Sequence, residues 1–180
     1  MDNDEIVAQT RNWLEKAVIG LNLCPFAKAV YVKSQVRFVV SSATNLDRLL
    51  EDLDEELDFL AAADPQQVDT TLLIHPKVLN DFLDFNDFLE VVDTVVAEHD
   101  LEGVLQVASF HPHYQFEGTE PTAMSNYSNR APFPILHLLR ESSIARAVEA
   151  FPNADSIYER NIEVLEKLGF EGWKKMGLDL

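Results

Sequence analysis

Apolar residues near the start of the chain recur at helical spacing. Ile6, Thr10, Trp13, Leu14, Ala17, Val18 and Leu21 fall on one face, behind Asp2 or Asp4 as a cap. The pattern predicts a helix ending near Gly20 to Asn22. Pro25 then fixes a turn or opens a short helix through Ala29. The run VRFVVSS, Val36 to Ser42, reads as a strand, with Val30 to Val32 as its extension or partner. Leu46, Leu49, Leu50, Leu53, Leu57 and Leu60 form a helical stripe behind a Thr44 or Asn45 cap. DPQQ, Asp64 to Gln67, is a turn, and TTLLIHP, Thr70 to Pro76, is a buried strand. Phe85, Phe88, Leu89, Val92, Val95 and Val96 define the next helix, followed by Gly103 and a third strand, Gly103 to Phe110. Further on, Ile135 to Leu139 fits a short strand or a helical turn. Ser142 to Ala150 reads as a helix with Ile144, Ala145 and Val148 inward. Asp155 to Leu168 is a last helix, with Pro152 before it and Gly169 at its end. The tail after Gly169 either packs through Phe170 and Trp173 or frays.

Strands alternating with helices over short connections give an α/β or α+β fold. We expect a βαβαβ core with a parallel or mixed sheet of three to four strands, flanked by helices and carrying extra helices at both ends. Strand order, including a split arrangement, is open at this stage. The chain of 180 residues is expected to form a single domain, 1–180, with no repeat or linker.

Charge narrows the function classes. The net charge is −17, and between Phe38 and Asn129 the only basic residues are Arg48 and Lys77. Such a surface repels phosphate backbones and anionic lipid, so neither nucleic acid nor membrane is an expected partner. The acidic start, MDNDEIVAQT, resembles neither a signal nor a transit peptide. The single cysteine, Cys24, rules out an internal disulfide and fits a reducing compartment, so a cytoplasmic location is expected.

Candidate chemistry concentrates between His111 and Arg140. Long polar, aromatic and proline-bearing loops in compact domains are more often functional than decorative. This one starts at the carboxyl end of the third strand, where open α/β sheets place their ligand sites. His75 ends the second strand in the same way, so His75, His111 and His113 are candidates for one rim, although the prolines that follow the first two also terminate strands. We expect a pocket for a small anionic molecule, with His111 and His137 as acid–base groups. His113, Tyr114, Asn126, Asn129, Arg130 and Arg140 would be its binding residues, the two arginines clamping the anion. The least committal reactions are hydrolysis and group transfer. His111, His113 and Glu117 form H-x-H-x-x-x-E, a spacing able to supply nitrogen and oxygen ligands to a divalent metal. That string resembles the first metal motif of the cupins, but the glycines are displaced, the second motif is missing and cupins are all-β. No other cofactor is expected, since phosphate-loop, dinucleotide and G-x-S-x-G patterns are absent.

Two other readings stand beside this one. Phe110, Tyr114, Phe116, Tyr127 and Phe133 would give a non-enzymatic interaction module an aromatic surface, and a homo-oligomer is compatible with it. A thiol redox role would use Cys24, since a cysteine before a helix-opening proline gains thiolate character. Its CPFA string also resembles that of omega-type glutathione transferases. Against this, free cysteine is commonly a small buried apolar residue.

The segments GLNLCPFAKAV, FHPHYQFEGTEP and SNRAPFPILHLLRE together resemble a family of bacterial and plant proteins known as a domain of unknown function. The resemblance covers nearly the whole chain. It implies no activity, and no residue role is carried over from it.

Overall fold

Four strands form one mixed sheet in the computed structural model, which describes residues 1–151 and 153–178. The strands are β1 (Val36–Val40), β2 (Thr70–Ile74), β3 (Leu105–Phe110) and β4 (Ile135–Arg140). Their spatial order is β1-β2-β4-β3. β1 and β2 pair parallel, and β4 pairs antiparallel with both β2 and β3. The first three strands therefore point the same way, as expected for βαβαβ, and β4 fills the gap between the second and third. Ile135 to Leu139 is thus a strand rather than a helical turn. Its nearly continuous apolar run suits a strand covered on both faces.

The helices α3 (Leu46–Ala62) and α4 (Phe82–Glu98) make the two crossovers. Both crossovers step in the same direction across the sheet, and right-handed connections then put both helices on one face. On that face Leu49, Leu53, Leu57 and Leu60 of α3 are fully buried. They share a core with Phe85, Val92, Leu73, Leu136 and Leu138. Asn45 caps α3 by accepting the Arg48 N–H at 2.9 Å, and Asp81 caps α4. The other face carries Leu72, Ile74 and Ile135. It packs against α1 (Asn3–Trp13), the π-helical continuation 14–19 and α6 (Ser156–Lys175). Asp2 and Glu5 form a reciprocal capping box at the start of α1.

Three local expectations change. Val30 to Val32 belongs to the short helix α2 (Ala27–Val32), not to a strand. α5 (Glu141–Ala150) buries no residue fully, and Ala145 and Val148 are exposed rather than inward. Gly169 does break the last helix, at φ 64°, but helical structure resumes beyond it. The tail then packs through Trp173, whereas Phe170 is half exposed. Pro152 and the final residues 179–180 lie outside the described residues. No helix among the described residues is long and apolar enough to cross a membrane.

Arg140 ties the α3–β2 connection to β4, and His99 ties the two crossover helices to each other. Arg140 is buried at the lower end of β4, where its Nη2 donates to the Ala63 and Val68 carbonyls at 2.9 Å each. The guanidinium thereby satisfies two backbone acceptors in the α3–β2 connection. His99, the C-cap of α4, reaches across to α3. Its Nε2 and Nδ1 lie 2.9 Å from Asp54 Oδ1 and Asp58 Oδ1. The Asp54 bond, chiefly, raises its pKa.

Two outcomes are expected. Arg140→Met should cost about 3 kcal/mol in urea unfolding, because it strands two carbonyls away from water; a loss within experimental error would show that they find other partners. For His99, the raised folded pKa means that its stabilisation is complete below about pH 6.5 and fades as pH rises through the folded value. The melting temperatures of the parent and His99→Gln should therefore differ most at about pH 6 and converge in alkali. A gap that widens with pH would contradict the ion-pair assignment.

Candidate functional site

The loop 111–134 runs along the rim formed by the carboxyl ends of β1, β2 and β3 before the chain turns down into β4. A loop of this length carries many backbone donors and acceptors, and those removed from water need partners. Asn126 is fully buried. Its Oδ1 accepts the Phe116 N–H at 3.0 Å and the Thr119 hydroxyl at 2.9 Å, while Nδ2 donates to the Glu120 carbonyl at 2.9 Å. Asn129 Nδ2 donates to the Ser109 carbonyl at 3.2 Å. Arg130 donates to the Tyr114 carbonyl at 3.2 Å and to the Pro121 carbonyl at 2.6 Å, and it stacks 4.4 Å above the Tyr127 ring. Each of these side chains fastens the loop to itself or to β3. The two arginines named for an anion clamp are far apart. Arg140 pairs with Leu105 at the far end of β3, roughly 17 Å along the strand from this rim.

Two histidines do meet at the rim. His75 is fully buried, and its Nδ1–H donates to the Val78 carbonyl at 2.9 Å. Burial lowers its pKa to about 4, so the ring is neutral at pH 7. His111, also buried, accepts the His113 backbone N–H on Nδ1 at 3.0 Å. Its proton must then sit on Nε2, which donates to the Leu79 carbonyl at 3.1 Å. Burial lowers this pKa as well, and the Leu79 contact partly opposes the shift. Phe85 lies between the two rings, with centroids 5.6 and 5.2 Å away. The ends of β2 and β3, on either side of β4, thus hold two successive carbonyls of the β2–α4 loop. The second belongs to Leu79, which sits at φ 61°, a region that leucine rarely adopts.

That loop walls a broad, open surface cavity of about 590 Å³ on the side of the sheet covered by α3 and α4. Its floor is apolar, with Val78, Leu79 and Phe88, and its charged groups are Lys77, Asp84 and Asp87. None of these three makes an ion pair among the described residues. Asn45 and Asn80 complete the polar rim. Apart from Lys77, noted for its rarity as a base, and the Asn45 cap, these residues carry no motif. The nearest sequence signal is the His75-Pro76 strand ending just before them.

The remaining expected site residues lie elsewhere. His113 and Glu117 are exposed. Both ring nitrogens of His111 are already engaged, and among the described residues no group of three or more His, Cys, Asp or Glu could hold a metal. His137 sits mid-strand in β4. It lies three residues from Arg140, so the two face opposite sides of the sheet rather than sharing a helical face. Cys24 is half-buried in the turn before α2, packed at the edge of the α1/α6 core. α2 starts at Ala27, after Pro25 and Phe26 have formed a turn. The aromatic residues are divided. Phe110 stacks on Trp13 and Tyr127 on Trp173 inside the core, which Phe133 also joins. Tyr114 and Phe116 line the outer rim with Phe82 and Tyr158.

No curated protein and no solved structure matches this chain. A family model described as a protein of unknown function, DUF1415, matches residues 5–175. The match agrees with the resemblance read from the three sequence segments, and the chain belongs to this family.

Proposed function

We propose that this protein binds a small zwitterionic metabolite, of amino-acid or short-peptide type, in the cavity beneath the β2–α4 loop. One observation carries the reading. Lys77 and the carboxylates Asp84 and Asp87 line the same cavity, and none of the three makes an ion pair among the described residues. A ligand with a carboxylate at one end and an ammonium at the other satisfies both sets of charges. Its apolar body rests on Val78, Leu79 and Phe88. The cavity's place outside the carboxyl ends of parallel strands is where small-molecule sites occur.

His111 supports the site without touching the ligand. By fixing the Leu79 carbonyl it holds a wall that the backbone would otherwise relax. In this reading Lys77, rather than the expected Arg130 and Arg140, would take the ligand's anionic end, and the aspartates its cationic end.

The test is a thermal-shift and NMR screen with the common amino acids and their dipeptides. At least one is expected to stabilise the protein and to move the amide signals of Val78 to Asn80. Lys77→Ala, or Asp84→Asn combined with Asp87→Asn, should weaken that ligand about tenfold or more. If no zwitterion moves those amides at millimolar concentration, or the charge variants bind as the parent does, the reading fails.

A further inference from the structure

We propose that the ligand of the cavity beneath the β2–α4 loop is a basic amino acid of lysine type, with a second ammonium at the end of an aliphatic chain. The proposal rests on the zwitterion reading and narrows it. The charged groups that line the cavity are one ammonium, Lys77, and two carboxylates, Asp84 and Asp87. A ligand with one charge of each sign answers Lys77 and one aspartate, and it leaves the other aspartate uncompensated. A second ammonium answers that one too. The surroundings act in the same sense. Every lining residue falls between Thr44 and Val91, and the bases of that stretch are Lys77 and Arg48, the latter already paired with Glu51 and Asp52. The acids of α3 and α4 thus surround the cavity with negative charge, which draws in a net-positive ligand.

The spacing along α4 gives each ligand group its place. Lys77 is on the β2–α4 loop, and Asp84 lies in the first turn of α4, the turn next to that loop. The carboxylate and α-ammonium of an amino acid hang from one carbon, so Lys77 and Asp84 take them. Asp87 follows on the same face of the helix, roughly 4.5 Å further along its axis. An aliphatic chain that leaves Asp84 in this direction passes over Phe88, which is buried in the cavity floor. Leu46 and Val91 also line the cavity, and both are exposed large apolar side chains that such a chain would help to cover. Its terminal ammonium then ends beside Asp87 at the open rim, where the exposed carboxylate needs little desolvation to meet it.

Lysine, norleucine and cadaverine are the probes. Norleucine lacks the second ammonium, and cadaverine keeps two ammonium groups but lacks the carboxylate. In NMR titrations of the full chain, followed at the Val78 to Asn80 amides, lysine should bind about threefold or more tighter than norleucine. That preference should shrink at high salt. Asp87 is exposed, so Asp87→Asn leaves the core intact. This variant should bring lysine to the level of norleucine and leave norleucine unchanged. Cadaverine should bind more weakly than lysine, because it has nothing to offer Lys77. Norleucine binding as tightly as lysine, or an Asp87→Asn variant that weakens both alike, would overturn the proposal and leave the zwitterion reading standing. Cadaverine binding as tightly as lysine would reduce the effect to attraction by an acidic surface and would overturn it as well. If neither amino acid moves those amides, both readings fall.

Discussion

The sheet depends on β4. β2 and β3 point the same way but lie two positions apart, and only the backbone bonds of β4 to both sides join them. Without that strand, β3 would have no partner and the core shared by Leu136, Leu138 and the crossover helices would be open. β3 and β4 are antiparallel neighbours paired from Phe110 with Ile135, so a two-residue hairpin would join them, and the topology does not by itself require a long connection. The loop 111–134 is an excursion inserted into that hairpin, and its polar side chains answer the backbone demands that such a path creates.

Much of the fold is legible because its signals are local. The leucine stripe of α3, the Asn45 cap and the strand endings at His75 and His111 each reflect a period or a residue whose preference tertiary packing did not override. β4 is less legible for a physical reason. A strand covered on both faces has no alternation, so Ile135 to Leu139 looks like any short apolar run. Val30 to Val32 shows the opposite failure. Three β-favouring residues follow a turn, yet they form the end of a helix, since β-propensity chiefly reflects the surface a residue must fit.

The site was harder to read than the fold. Asn126, Asn129, Arg130 and Arg140 are rich in donors, and richness in donors is what both a ligand site and a self-fastened loop require. Residue type cannot separate the two, because the partner is a carbonyl whose position depends on the fold. Arg140 shows this well. Its acceptors, Ala63 and Val68, are remote in sequence and carry no side-chain signal at all. Lys77, Asp84 and Asp87 pose the reverse problem. They belong to no motif and look like ordinary solvated charges until the loop and α4 bring them to one cavity.

The histidines show that nitrogen accounting discriminates where residue type does not. An imidazole acts as a base or as a ligand only through a lone pair that the protein has not already used. His99 points both nitrogens at carboxylates, an arrangement that favours the charged form and holds helices together. His111 spends both on the backbone, and the free nitrogen of His75 is sealed from solvent. In His137 one nitrogen is tied to a hydroxyl that is itself tied to a carbonyl. Holding an imidazole neutral and oriented in a central strand costs the sheet an apolar side chain at that position. The ring is compensated by its bond to Thr70, which joins β4 to β2 through side chains beside the backbone ladder.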